Sequence, residues 1–207
     1  MDDDDRLILA KLVLSQAVRA FSAIDSTIAM EKRLLSILPD LDRLPAEIEK
    51  QAIKEDYLDG LFREKYFNGK CEILRRRIWC IFINEISSHL PFITSDNPVL
   101  LYNNATKKIG FLENVGLDDN TIVYLPVTPK ILIKNYSGFL NNNDIRLMSL
   151  VYLGDGVCYR LQEQNESIVK DINRLLWKNA DNHVFIPEPL FGKMSDNPEI
   201  IEKLFSD

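Results

Sequence analysis

The chain has 207 residues, 46% hydrophobic and 27% charged, with a formal charge of -6. This length and balance suit one large globular domain or two small ones, with a core that needs neither disulfide nor metal staples. The negative charge disfavours a nucleic-acid backbone as a general partner, and no apolar run approaches the ~18 residues of a membrane span.

The acidic run Asp2 to Asp5 opens the chain. A secretory leader needs a basic start, so none is expected. The run reads as a construction remnant, a solvated tail, or carboxylates placed at the positive end of the helix that follows. Cys71, Cys80 and Cys158 make an odd count without metal-ligand spacing, which points to a reducing, cytoplasmic setting.

Arg6 to Leu38 reads as a long amphipathic helix, with Leu9, Val13, Ala17, Ala20, Ile24, Ile28 and Leu35 on one face. Lys11, Ser15, Arg19, Ser22 and Ser26 form the polar stripe. Leu7 to Leu14 is apolar almost all round, so this turn expects cover from its own chain or from another. A second helix starts at Leu44-Pro45 and is predicted to stop at Asn68-Gly69, making a helical hairpin with the first.

Ile78 to Asn84 is predicted as a buried strand from its β-branched and aromatic content. His89-Leu90-Pro91 is expected to turn it into a hairpin with the central stretch, Pro91 to Tyr102. That stretch reads as two short strands around the polar bend Ser95-Asp96-Asn97-Pro98. Asn103-Asn104 marks a turn, and Lys107 to Leu112 reads as a weak strand. Thr121 to Leu125 and Lys130 to Asn135 are strand-like, and Pro126 and Pro129 between them imply a strand end, bulge or edge. Leu147 to Leu153 and Val157 to Leu161 flank Gly154-Asp155-Gly156 as a hairpin. Glu166 to Ala180 returns to helical period, and His183 to Ile186 reads as a last strand. Ser195-Asp196-Asn197-Pro198 repeats the central tetrapeptide, here as the start of a helix.

These elements predict an α+β fold: an N-terminal helical hairpin, then a mainly antiparallel β-sheet with a late covering helix. Residues 1–69 form the helical part and 70–207 the β-rich part of one continuous domain.

Trp79 together with Phe92-Ile93-Thr94-Ser95-Asp96-Asn97-Pro98-Val99 resembles the signature of a widespread bacterial family catalogued as domain of unknown function 4238. Leu125 to Pro129, Ile172 to Leu175 with Ala180, and Gln16 with Arg19 are similar to its other segments. The resemblance implies a histidine- and proline-containing segment ahead of the first helix, and this chain starts at that helix. A shortened variant, a segment supplied by a separate chain and a lost activity are the three readings of that difference. The resemblance brings no activity with it.

The chemistry that the residues allow is narrow. His89 and His183 have no paired spacing, no serine sits in a nucleophile elbow, and no Gly-rich phosphate loop occurs. Asp96 is the candidate catalytic residue, as a general base or as a ligand of Mg²⁺. Its ordinary alternative is an Asx-turn that shapes the bend. Arg19, Ser95, Asn97 and Asn173 are the candidate binding residues of a polar cluster around it. For Asn173 the alternative is a structural tie between helix and sheet, and for Arg19 a solvated helix charge. Arg75-Arg76-Arg77 is the one basic run, read as a phosphate contact or as a solvated element end, so nucleic acid is disfavoured.

Three functions follow as expectations. The first is a binding or regulatory subunit that acts with another chain or as a homo-oligomer through the apolar first helix, in a bacterial conflict or phage-defence system. The second is a metal-dependent hydrolase or nuclease centred on Asp96. The third is a small-ligand-binding domain. No cofactor is evident beyond that Mg²⁺.

Overall fold

The computed structural model describes residues 1–18, 64–110, 117–138, 155–180 and 182–187. The region of the second predicted helix before residue 64, the first strand of the Gly154-Asp155-Gly156 hairpin and the second copy of the tetrapeptide lie outside the described residues.

The first helix, α1, spans Asp3–Val18. Its start is fixed by a reciprocal cap: the Asp5 N–H donates to Asp2 Oδ1 at 2.8 Å and the Asp2 N–H to Asp5 Oδ2 at 3.2 Å. The acidic run therefore sits at the positive end of the helix. The next described helix, α2, spans Glu64–Arg75. It runs through Asn68-Gly69, which corrects the predicted stop there. A mid-helix glycine costs only ~1 kcal/mol, and the burial of Cys71 and Leu74 beyond it keeps the helix going. Arg75 at the end of α2 meets Asp3 at the start of α1 at 2.6 Å, so the two helices lie antiparallel and each charge opposes its helix dipole.

Among the described residues six strands form the main sheet, in the order β4-β3-β5-β6-β1-β7. They are β1 Ile78–Asn84, β3 Leu100–Asn103, β4 Lys108–Gly110, β5 Thr121–Thr128, β6 Ile131–Tyr136 and β7 Val157–Leu161. All described pairings are antiparallel except β1 with β7. A separate pair joins β2, Thr94–Ser95, to β8, Val184–Phe185. The third described helix, α3, spans Glu166–Lys178.

Strand alternation sends side chains to two faces. Trp79, Leu101, Val123, Leu125 and Ile133 face Ala10, Val13, Leu14 and Ala17 of α1 and Cys71 and Leu74 of α2. Cys80, Phe82, Leu100, Tyr102, Ile122, Tyr124, Leu132 and Tyr136 face Val169, Ile172 and Leu176 of α3. The result is an α+β fold with helices on both faces of a mixed, mostly antiparallel sheet. Pro126 sits where the β5–β6 register slips, a bulge that needs no proline N–H.

The expected hairpin between β1 and the central stretch does not form. Both edges of β1 are taken, by β6 on one side and β7 on the other. The two short strands of the central stretch instead serve different sheets, β2 in the small pair and β3 in the large one. Among the described residues no helix is long and apolar enough to cross a membrane.

Candidate functional site

The central bend is stitched at three points to the chain that follows the sheet. Asn173, on the buried side of α3 and 2% exposed, holds its beginning. Its Oδ1 accepts from the Ile93 N–H at 3.2 Å, and its Nδ2 donates to the Pro91 carbonyl at 2.8 Å. Asn179, which caps the end of α3, holds its far side: Nδ2 donates to the carbonyls of Asn97 and Val99 at 3.0 and 3.2 Å. Asn97 answers through Nδ2 to the Asn179 carbonyl at 3.0 Å. Within the bend, Ser95 Oγ donates to the Asn97 carbonyl at 2.8 Å and accepts the Asn97 N–H at 3.2 Å, a local turn built on one hydroxyl.

Asp96 is the third stitch. Its Oδ2 accepts backbone N–H groups of Asn182 at 2.8 Å and His183 at 3.1 Å, and its own N–H donates to the His183 carbonyl at 3.1 Å. The His183 imidazole lies 3.6 Å from the same oxygen and is 74% exposed, while the Asp96 side chain is 10% exposed. This carboxylate thus fixes the entry to β8 opposite β2. The positive ends of two peptide dipoles occupy Oδ2, and among the described residues no three His, Cys, Asp or Glu side chains converge on a common point.

The structure therefore brings Ser95, Asp96, Asn97 and Asn173 to one ribbon of chain. Each makes backbone hydrogen bonds there, and the amide of Asn173 is used on both sides. Arg19 lies outside the described residues. Asn179 was not singled out from the sequence; its signal was its place at the end of the helical period, where an asparagine caps readily.

The three arginines of the basic run do not form one patch: Arg75 turns to Glu72 and Asp3, while Arg76 and Arg77 line a cavity. Arg75 makes a two-pronged bond to Glu72, with Nε and Nη2 each at 2.8 Å, and Arg76 Nε reaches the same carboxylate at 2.7 Å. Arg75, then Arg76, hold the Glu72 carboxyl down to about 2. Arg77 departs from the expected solvated end. It is 6% exposed and donates to the carbonyls of Asp118 and Thr121. Burial pulls its pKa down to about 10, against the pull of Asp118 and Asp119.

Lys134 is a second feature that sequence reasoning missed. It lies in β6 between Cys80 of β1 and Tyr124 of β5, fully buried on the face that α3 covers. Its Nζ stands 4.8 Å from the Tyr136 ring centre, 5.9 Å from that of Tyr124 and 6.0 Å from that of Phe82. Aromatic faces partly replace water around the ammonium, yet burial still pulls its pKa down to about 8. The alternation of Leu132, Lys134 and Tyr136 was the available signal.

On the opposite face a groove of about 400 Å³ runs between α1 and the sheet, with Met1, Asp5, Ile8 and Leu9 on one side and Trp79 and Ile81 on the other. The Asp155-Gly156 turn holds this end of the sheet: Trp79 N–H donates to Asp155 Oδ1 at 3.1 Å, Gly156 N–H to the Trp79 carbonyl at 2.8 Å, and Arg6 pairs with Asp155. Gly156 has φ +74, which suits glycine. Trp79 is 1% exposed, and its indole N–H has no partner. Ile8 is 65% exposed, with Leu12 at 38% on the same helix.

Residues 1–188 match a family model described as Protein of unknown function (DUF4238). No curated protein matches the chain, and no solved structure does.

Proposed function

We propose a function from surfaces for this chain, which belongs to the DUF4238 family: it is a protein-binding module whose docking site is the α1 groove. The observation that carries this reading is Ile8, a large aliphatic side chain 65% exposed at the lip of a groove floored by Trp79 and Ile81. A fully covered isoleucine contributes about 2 kcal/mol to association, and contiguous exposed apolar side chains mark interaction surfaces more than isolated ones do.

The rim indicates the partner. Asp2, Asp4 and Asp5 are exposed beside the groove, and Asp3 is already paired with Arg75. A second copy would bring like charges together across the contact, in a chain of charge -6. The occupant is therefore a different chain, offering an apolar segment flanked by lysine or arginine.

The hydrolase reading loses ground on the same geometry. Two backbone N–H groups on Asp96 Oδ2 favour a scaffold role over a base or metal ligand. The small-ligand reading keeps the groove but leaves the acidic rim without a task.

The test is photo-crosslinking from position 8 in the organism that encodes the chain, followed by titration of the purified captured protein. Binding that weakens with salt and is lost in Ile8→Glu at unchanged Tm supports the proposal. Equal binding by Ile8→Glu contradicts it, as does a homodimer that light scattering shows splitting in that variant.

A further inference from the structure

A second cavity, of about 280 Å³, opens past the end of α2, with Arg76, Arg77, Leu117, Asp119, Ser137 and Gly138 in its walls. Among the described residues it shares no wall residue with the α1 groove. Arg77 is its unusual member. An arginine 6% exposed normally lies against a carboxylate. Here two of its nitrogens donate to backbone carbonyls, those of Asp118 and Thr121, and its buried Nε–H has no partner. The nearby carboxylates are engaged elsewhere. Asp118 accepts from Asn103 Nδ2, the Asn120 N–H and Thr121 Oγ1, and Asp119 Oδ1 takes Ser137 Oγ at 2.7 Å. Glu72 belongs to Arg75 and Arg76. The fold thus fixes the Arg77 guanidinium in the wall of a cavity through two backbone carbonyls, with no carboxylate partner among the described residues and with its Nε–H closed to solvent. Arg76, whose side chain is 75% exposed, supplies a second guanidinium there.

We infer that this cavity is a phosphate-binding site, in which the Arg76 and Arg77 guanidiniums hold the oxyanion and Asp119 accepts a hydrogen bond from its protonated oxygen. Paired guanidiniums match the geometry of a tetrahedral oxyanion better than lysines do. Asp119 sets the selectivity. A carboxylate in the wall repels an anion that has no proton to share, and accepts an O–H from one that does. Phosphate near neutral pH carries that O–H, as does the monoanion of a phosphate ester; sulfate does not. The Ser137 hydroxyl, held by Asp119, keeps the carboxylate in place. The volume admits a phosphate with a small organic group attached.

The direct test is NMR of arginine Nε–Hε signals in the full chain, titrated at pH 6.5 with inorganic phosphate, sodium sulfate or sodium chloride at matched ionic strength. A glycerol phosphate arm separates a site for free phosphate from one for an ester. The expected result is a saturable shift of the Arg77 signal with phosphate, at least tenfold weaker with sulfate. Arg76→Ala, at an exposed position, lowers the affinity at least tenfold at unchanged Tm, and Asp119→Asn removes the preference for phosphate over sulfate. Equal responses to phosphate, sulfate and chloride overturn the inference, and so does a phosphate response that Arg76→Ala leaves intact.

Discussion

Replacing Asn173 by alanine measures how much the central bend depends on α3. The amide of Asn173 is the recorded partner of two buried backbone groups, the Ile93 N–H and the Pro91 carbonyl. Truncation leaves both without a partner in a region closed to water, since Pro91, Phe92 and Ile93 are all buried. Each orphaned group costs about 1–3 kcal/mol, and the better helix propensity of alanine returns only about 0.5 kcal/mol. The expected loss is therefore about 3–4 kcal/mol. With a slope of roughly 2 kcal/mol per M in urea, the midpoint moves down by roughly 1.5–2 M. Urea titration followed by far-UV circular dichroism reads this directly, and an unchanged slope shows that the unfolding transition itself is the same. Asn173→Asp is a sharper companion. It keeps an oxygen for the Ile93 N–H but turns a second oxygen against the Pro91 carbonyl, so it is expected to destabilise at least as much as alanine. A loss under 1 kcal/mol for Asn173→Ala refutes the reasoning, because the two backbone groups would then have other partners.

Three further outcomes follow from the same geometry. Asp96→Ala is expected to cost less than Asn173→Ala, about 1–3 kcal/mol by urea titration, because Asn182 and His183 are exposed and water replaces the carboxylate; a loss larger than that of Asn173→Ala contradicts this ranking. Lys134 has a folded pKa of about 8 against an ordinary 10.5, so the unfolded chain binds the extra proton between these values and stability rises with pH across that window. Relative to Lys134→Met, the wild type gains roughly 2 kcal/mol between pH 7.5 and 9.5, and a pH-independent difference between the two sinks the claim. The comparison stops short of pH 10 because the raised pKa values of Tyr124 and Tyr136 withdraw stability above it. Glu72, lowered to about 2, contributes stability that is present above its ordinary 4.5 and is lost as pH falls through about 2; Glu72→Gln should flatten the acid limb of a Tm–pH curve, and an unaltered limb would show that the ion pairs do not matter.

Local signals in the sequence were read well where the physics is local. Continuous β-branched and aromatic residues place a strand at Ile78–Asn84, and helical period places α3. The bend at Ser95-Asp96-Asn97-Pro98 is turn chemistry, and the Ser95 hydroxyl closes it as such residues do. Pairing across long separations was less legible. Neither neighbour of β1 is adjacent in the chain, so a hairpin with the nearest downstream strand was the natural but mistaken choice. Arg77 was taken for a surface charge because arginines usually are. Its burial depends on carbonyls that arrive 41 and 44 residues later. Lys134 hid for a similar reason: one lysine in an apolar strand looks like an exposed position, and the rings of Phe82, Tyr124 and Tyr136 that help to make its burial tolerable come together only in the fold. Asn173 was legible as a buried helix amide aimed at the bend, whereas its companion Asn179, at the end of the same period, carried no such signal.

The central claim is that the chain works through the α1 groove and that the Asp96 bend serves as scaffold. Calorimetric titration of the crosslinked partner into wild type and Ile8→Glu tests it most directly. The account predicts that Ile8→Glu weakens binding by at least about tenfold, since about 2 kcal/mol of apolar burial is lost and a like charge joins the acidic rim, with Tm unchanged because Ile8 is exposed. Equal affinities for the two proteins would contradict it.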